Sequence, residues 1–247
     1  AGESGLAGIA VSNGRNIVRS DAQGRYAIAV QPGDVVFAIK PPHYRFGRRG
    51  DRLPAFWKAY APETSNLKYG GLAPQTTLDA EGRRVMISWM RMPMAVTDST
   101  DRPAWNGMMS SARVVEEKEG HLYFHMHPQV DAYLSVETTA EEAAESGKVF
   151  RIRTDLSEGE TLNIGGYVIS RSEGKVVGDR SAVLEGCDEV RTVGATPVIE
   201  GAAQLDILVN DHLIEIFVND GQYVLSHVVY GKSKKISGKY EKVLVGK

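Results

Sequence analysis

The sequence predicts an all-β chain. A small Ig-like β-sandwich of a regulatory kind opens it, four strands with the spacing of one β-propeller blade follow, and a β-sandwich closes it. Three observations carry that expectation. Glycine is abundant, 26 residues in 247, and recurs between short apolar runs at the roughly 8–12-residue interval of all-β proteins. From Val149 apolar and polar side chains alternate along each run, the period of a half-buried strand. Only one window, Ser135–Ser146, favours helix. The expected limits are residues 1–45 for the first sandwich, 46–74 for an irregular linker, 75–135 for the blade and 136–247 for the second sandwich.

The first part reads as strands at Ala7–Ser12, Asn16–Arg19, Tyr26–Val30 and Val35–Ile39. Asn13-Gly14 supplies positive φ at low cost and makes a hairpin of the first two. Residues 41–74 hold Pro41, Pro42, Pro54, Pro62 and Pro74, which remove ladder donors, so a long connecting loop is expected. The blade is expected to run Thr76–Leu78, a turn at Asp79-Ala-Glu-Gly82, Val85–Met90, a proline loop Pro93–Pro103, then Ser110–Val115 and Leu122–His127. In the helical window Thr138 or Thr139 can cap, with Glu141 or Glu142 at the third position. Its lack of large apolar residues predicts a short surface helix or loop. Beyond it, Phe150, Ile152 and Thr154 oppose Arg151 and Arg153. Leu205, Ile207 and Val209 share a face, as do Ile214, Ile216 and Val218, and Asn219-Asp220-Gly221 is a strong hairpin turn.

Composition excludes several classes. A formal charge of −2 gives no electrostatic case for nucleic acid or an anionic membrane surface, and Lys232, Lys234 and Lys235 read as a solvated tail. The single cysteine, Cys187, rules out an internal disulfide framework and any multi-cysteine metal site. No apolar run approaches the roughly 20 residues needed to span a bilayer, and no signal peptide is visible at Ala-Gly-Glu-Ser. The chain does not begin with Met, and its compartment stays open.

Two sets of strings resemble known families. Ala73-Pro-Gln-Thr76, Gly82-Arg-Arg-Val-Met-Ile-Ser-Trp-Met90, Trp105-Asn-Gly-Met-Met109, Gly120-His-Leu-Tyr-Phe-His-Met-His-Pro128, Ile164-Gly-Gly-Tyr167, Asp179-Arg-Ser181 and Ile214-Glu-Ile-Phe-Val-Asn-Asp-Gly221 resemble glycoside hydrolase family 32, the sucrose-6-phosphate hydrolase, invertase and levanase group. That family's fold is a five-bladed propeller followed by a β-sandwich, so the resemblance implies the last blade plus the sandwich. Gly8-Ile-Ala-Val-Ser-Asn-Gly14, Ser20-Asp-Ala-Gln-Gly-Arg-Tyr26, Lys40-Pro-Pro-His-Tyr44, Leu53-Pro-Ala-Phe-Trp57 and Leu67-Lys-Tyr-Gly-Gly-Leu-Ala-Pro74 resemble the N-terminal sandwich of bacterial calcineurin-like metallophosphoesterases. The two resemblances meet at Gly70–Gln75, the expected seam of a chimera.

Glycoside hydrolysis needs two carboxylates flanking the bond. In the resembled family they come from Asn-Asp-Pro, Arg-Asp-Pro and Glu-Cys segments, and none of these strings occurs here; Glu185-Gly-Cys187 is an interrupted echo. No catalytic residue is therefore expected. Asp79 reads as a turn former, and Asp98 and Asp101 as solvated loop residues. Trp89 matches the family's tryptophan that walls the sugar pocket, or simply packs the blade; Leu72 stands where the family usually has tyrosine. His125 and His127 share a strand face as a possible metal pair, yet lack a third ligand, so no metal or cofactor is expected. Phosphate-cradling glycine motifs, a serine nucleophile elbow and two-metal phosphoesterase motifs are absent from the sequence.

The leading expectation is a non-catalytic fragment or chimera of a fructose-releasing glycoside hydrolase. Its sandwich folds, while its lone blade exposes apolar faces and self-associates. The alternatives are a glycan-binding or interaction module of two sandwiches, with oligosaccharide or sucrose as ligand, and a subunit of a split glycosidase.

Overall fold

The computed structural model describes residues 5–31, 34–39, 58–60, 72–97, 100, 103–184, 186 and 191–247, with the backbone alone at 58–60, 72–74 and 103–105. Two compact units emerge: residues 1–69 with 117–122, and residues 70–116 with 123–247. The expected stretches at 41–57 and 61–71, with Trp57, Asp98, Asp101 and Cys187, lie outside the described residues.

In the first unit, β1 (Ala10–Ser12), β2 (Ile17–Arg19), β3 (Val35–Ile39) and β4 (Lys58–Tyr60) form one antiparallel sheet in the order β2-β1-β3-β4. The Asn13-Gly14 turn closes as the sequence demands. Gly14 sits at φ 85°, and the Asn13 Oδ1 accepts from the backbone N–H of Arg15 and Asn16 at 3.1 and 2.8 Å. Two expectations need correction. Tyr26–Val30 is not a strand: Tyr26 and Val30 are exposed, and the Ala29 carbonyl accepts from the Asn13 side chain instead of a ladder. The stretch read as irregular linker contains β4, whose backbone pairs with Val35–Phe37.

The second unit begins with β5 (Leu72–Leu78), β6 (Arg84–Thr97) and β7 (Pro103–Met109), followed by β8 (Arg113–Lys118) and β9 (His121–Met126), whose joined ends at residues 117–122 fall in the first unit. The middle sheet thus has five strands where the sequence suggested four, and the expected proline loop is largely strand. Proline cannot donate to a ladder, so each one falls where no donor is wanted. Pro74 lies in the register shift between Leu72 and Gln75, Pro93 in the shift between Arg91 and Val96, and Pro103 starts its strand. A short helix, α1 (Pro128–Tyr133), follows, capped by His127, whose Nδ1 accepts from the Gln129 N–H. The sequence reading did not foresee it, though Pro128 at its first turn is a helix-start signal.

Next come β10 (Leu134–Thr138) and α2 (Ala140–Glu145), where Thr139 and Glu142 form a reciprocal capping box. The remaining strands are β11 (Phe150–Leu156), β12 (Thr161–Ile164), β13 (Tyr167–Ser172), β14 (Lys175–Asp179), β15 (Val193–Ala195), β16 (Ala203–Val209), β17 (Leu213–Val218), β18 (Tyr223–Val228), β19 (Ile236–Gly238) and β20 (Lys242–Gly246). They make a six-stranded sheet, β10-β20-β11-β16-β17-β18, and a five-stranded sheet, β15-β14-β13-β12-β19. Between them lies the main core, with Ile152, Leu156, Leu162, Ile169, Ile207, Ile214 and Ile216 all but sealed from solvent. The β17–β18 turn bends through positive φ at Asn219, Asp220 and Gly221, as the sequence signalled.

The other face of the six-stranded sheet is covered as well. All six residues of β17 are buried: Ile214, Ile216 and Val218 face the five-stranded sheet, and Leu213, Glu215 and Phe217 face the opposite way. Met90 and Met92 of β6 pack on Leu213 and Val228, while Leu134 joins Leu208 and Phe217. The expectation of a blade with both faces open is corrected on this point. Its inner face is the third layer of the sandwich, because β17 presents apolar side chains on both sides.

Candidate functional site

On the outer face of the middle sheet stands Trp89, 37% exposed, with Ile87 equally exposed and Met109 at 53%. Alternation in β6 explains the arrangement: Ser88, Met90 and Met92 turn inward, so Ile87, Trp89 and Arg91 turn out. Trp89 pairs across the strands with Met109, and Arg91 with Gly107. The indole lies against the Gly107 backbone, where a Cβ would strike its Nε1. Gly107 is thus what lets the ring spread flat. Gln75 pairs beside Ile87 and adds an exposed amide to this face. An aromatic plane flanked by an amide and a guanidinium can stack on a sugar ring and bond its hydroxyls.

Two carboxylates of this sheet, Asp79 and Glu116, are engaged elsewhere. The Asp79 Oδ1 accepts from the Glu81 and Arg83 backbone N–H groups, and its Oδ2 meets the Arg83 guanidinium at 2.6 Å and His127 Nε2 at 3.4 Å. Desolvation alone would raise its pKa; the bonds from Arg83, and then His127, outweigh that and hold it below the ordinary value. Glu116 pairs with His125, whose other nitrogen lies 3.3 Å from Asp220. The imidazoles of His125 and His127 therefore do not converge as a metal pair. His127 sits one residue past the end of β9, in the helix cap, and takes separate partners. Among the described residues no group of three or more metal-binding side chains forms.

Two features escaped the sequence reading. Arg113 and Glu215 make a buried ion pair between β8 and β17. Glu215 also accepts from the Ser111 N–H at 2.8 Å and the Ser226 hydroxyl at 3.1 Å, while Arg113 reaches Ser226 and lies over the Phe217 ring. Ser226 is thus part of this cluster. The only signal was a glutamate inside the apolar run Leu213–Val218. The second feature is a cleft of about 760 Å³ between α1 and the outer face of β11 and β16, lined by Met126, Asp131, Arg151, Arg153, Asp206 and Phe217 among others. Both guanidiniums there are already neutralised by Asp131 and Asp206, so the cleft offers no free cation for an anionic ligand.

Residues 109–242 match the sequence model of the C-terminal domain of glycosyl hydrolases family 32, and residues 1–70 match that of the N-terminal part of calcineurin-like phosphoesterases. A sucrose-6-phosphate hydrolase of Vibrio alginolyticus is 29% identical over 162 residues, 62% of this chain and 33% of the relative. A raffinose invertase of Escherichia coli is 26% identical over 218 residues, 78% of this chain and 45% of the relative. The sucrose-6-phosphate hydrolase of Lactobacillus gasseri superposes with a TM-score of 0.59 at 22% identity, over 72% of this chain and 41% of that one. A family 32 glycoside hydrolase of Bifidobacterium adolescentis gives 0.56 at 17%, over 99% and 40%. The chain spans between a third and a half of the length of these relatives.

Proposed function

Because this chain belongs to glycosyl hydrolases family 32 through the C-terminal domain at residues 109–242, we propose that these 247 residues supply the supporting sandwich and one sugar-facing sheet of such an enzyme and do not themselves cleave a glycosidic bond. The observation that carries this reading is the state of the carboxylates around the Trp89 face. Asp79 and Glu116 are each committed to a cationic partner or a histidine, so these two carboxylates do not stand ready as acid and nucleophile across an open site. Purified protein is expected to release no fructose from sucrose or raffinose above a buffer control. Activity that survives separation from contaminating invertase would overturn the reading. The split-enzyme variant is tested in the same assay by adding a separately made polypeptide carrying the remainder of a family 32 enzyme; release above that polypeptide alone supports it.

The first 70 residues read as a graft. The phosphoesterase-type match ends at residue 70, and the first compact unit leaves the main chain at Tyr69, next to the seam Gly70–Gln75. A sequencing read across the codons for residues 60–90 tests whether one gene encodes both parts.

A second reading, glycan binding without turnover, is favoured by the flat, half-exposed Trp89. Calorimetry with sucrose and fructans is expected to give weak affinity that is lost in Gly107→Ala, whose added methyl would lift the indole from the sheet. Equal affinity in both proteins would remove Trp89 from the site. The exposed Ile87, Trp89 and Met109 also form an apolar face on a sheet whose edge strand β5 is paired on one side only among the described residues. Self-association at micromolar concentration is expected in sedimentation, and a monodisperse monomer would count against it.

A further inference from the structure

All seven methionines of the chain lie between residues 86 and 126, in a protein of 247 residues. The middle sheet sorts them by depth. Met90 and Met92 are 4% and 3% exposed and serve as packing against Leu213 and Val228. Met109 is 53% exposed and stands directly across the strand pair from Trp89. We infer that Met109 is an oxidation site, converted to the sulfoxide by hydroperoxides ahead of the buried methionines, and that this modification changes the polarity of the Trp89 face.

The chemistry is a two-electron transfer. A lone pair on the Met109 thioether sulfur attacks the distal oxygen of the hydroperoxide, the O–O bond breaks, and the S–O bond forms. The remaining oxygen leaves as water or an alcohol after taking up the proton. Sulfur is oxidised and the peroxide reduced, so the step needs no cofactor. A methyl thioether is apolar and polarisable; its sulfoxide is a chiral, strongly hydrogen-bond-accepting dipole. Placed beside an indole on an open face, it draws water to a surface that otherwise favours an apolar ligand face or another apolar surface. Burial protects Met90 and Met92 because peroxide must reach the sulfur. Glycan affinity would change only if the binding reading of Trp89 holds, whereas the site of oxidation stands without it.

The test is a hydrogen peroxide titration of the whole folded chain, with each methionine's sulfoxide followed by peptide mass spectrometry and the tryptophan emission recorded in parallel. Met109 is expected to react at least about tenfold faster than Met90 and Met92, in line with the dependence on access. The early change in emission should vanish in Met109→Leu, which keeps volume and apolarity but cannot be oxidised. Equal rates at the exposed and buried methionines would overturn the inference, as would an unchanged emission response in Met109→Leu. A fold control is built in: Met90 and Met92 should react at the Met109 rate only after urea denaturation.

Discussion

Arg113→Ala is expected to lower the unfolding free energy by about 3–5 kcal/mol, the range for removing one partner of a buried ion pair. The truncation leaves Glu215, 2% exposed on β17, with its charge uncompensated and the Ser111 N–H and Ser226 hydroxyl as its remaining donors. Neither can replace a guanidinium. The lost cation also uncovers the Phe217 ring, on which Arg113 lies 5.6 Å from the centroid. The urea midpoint of the whole chain reads the effect, and amide exchange locates it: protection at Met90 and Met92 should fall with the global stability, because the pair fastens β8 to the sandwich. The double variant Arg113→Met with Glu215→Leu separates charge from packing. It removes the stranded carboxylate, but it leaves the Ser111 N–H without its acceptor, at about 1–3 kcal/mol, and takes both Glu215 and Arg113 from the half-buried Ser226 hydroxyl. It should therefore recover part of the loss. A cost below about 1 kcal/mol for Arg113→Ala would place the pair among solvated surface bridges and refute this account of the third layer.

The same pair marks where sequence reasoning stopped. Alternation in Phe150–Leu156 and Ala203–Val209 gave the core-facing residues because one face of each strand is apolar. In Leu213–Val218 every position but Glu215 is apolar, the mark of a strand covered on both sides, and reading only Ile214, Ile216 and Val218 hid the second layer. β20 was missed for a related reason. Lys242–Gly246 is short and follows a lysine-rich stretch, yet it inserts between β10 and β11, a long-range pairing that no local pattern encodes. The prolines misled in the opposite direction. Pro93 and Pro103 suggest a loop, but a register shift and a strand start absorb them at no ladder cost. For the candidate site, the outward aspect of Trp89 follows from strand parity alone. That its ring lies flat depends on Gly107, a residue 18 positions away whose missing Cβ only the register reveals.

The largest pH effect should come from His227. It projects from β18 toward the five-stranded sheet, with Tyr167 on β13, Gly178 on β14 and Gly194 on β15 around it; a Cβ on Gly194 would strike its ring. Its Nδ1 lies 2.5 Å from the Tyr167 hydroxyl. Burial, then the Arg180 guanidinium, press its pKa down to about 4, with Asp179 opposing weakly. Tyr167 is fully enclosed and its phenol is pushed up, chiefly by burial, so at neutral pH the phenol keeps its proton and donates to a neutral imidazole. Protonating His227 removes that acceptor and places a second cation beside Arg180. The folded pKa is depressed below the unfolded value of 6.5, so the unfolded chain binds more protons between the two. The stabilisation is complete above about pH 6.5, falls as the pH drops toward 4, and is flat below that. The full span is roughly 3 kcal/mol from this depression, an upper figure because the residue keeps some solvent contact. Urea unfolding between pH 7 and pH 4 should show that decline, and His227→Gln, which cannot titrate, should abolish its steep part even if the variant starts from lower stability. A pH dependence unchanged in His227→Gln would shift the acid sensitivity to the carboxylates, of which Asp79, held below its ordinary pKa by Arg83 and His127, is the first to test.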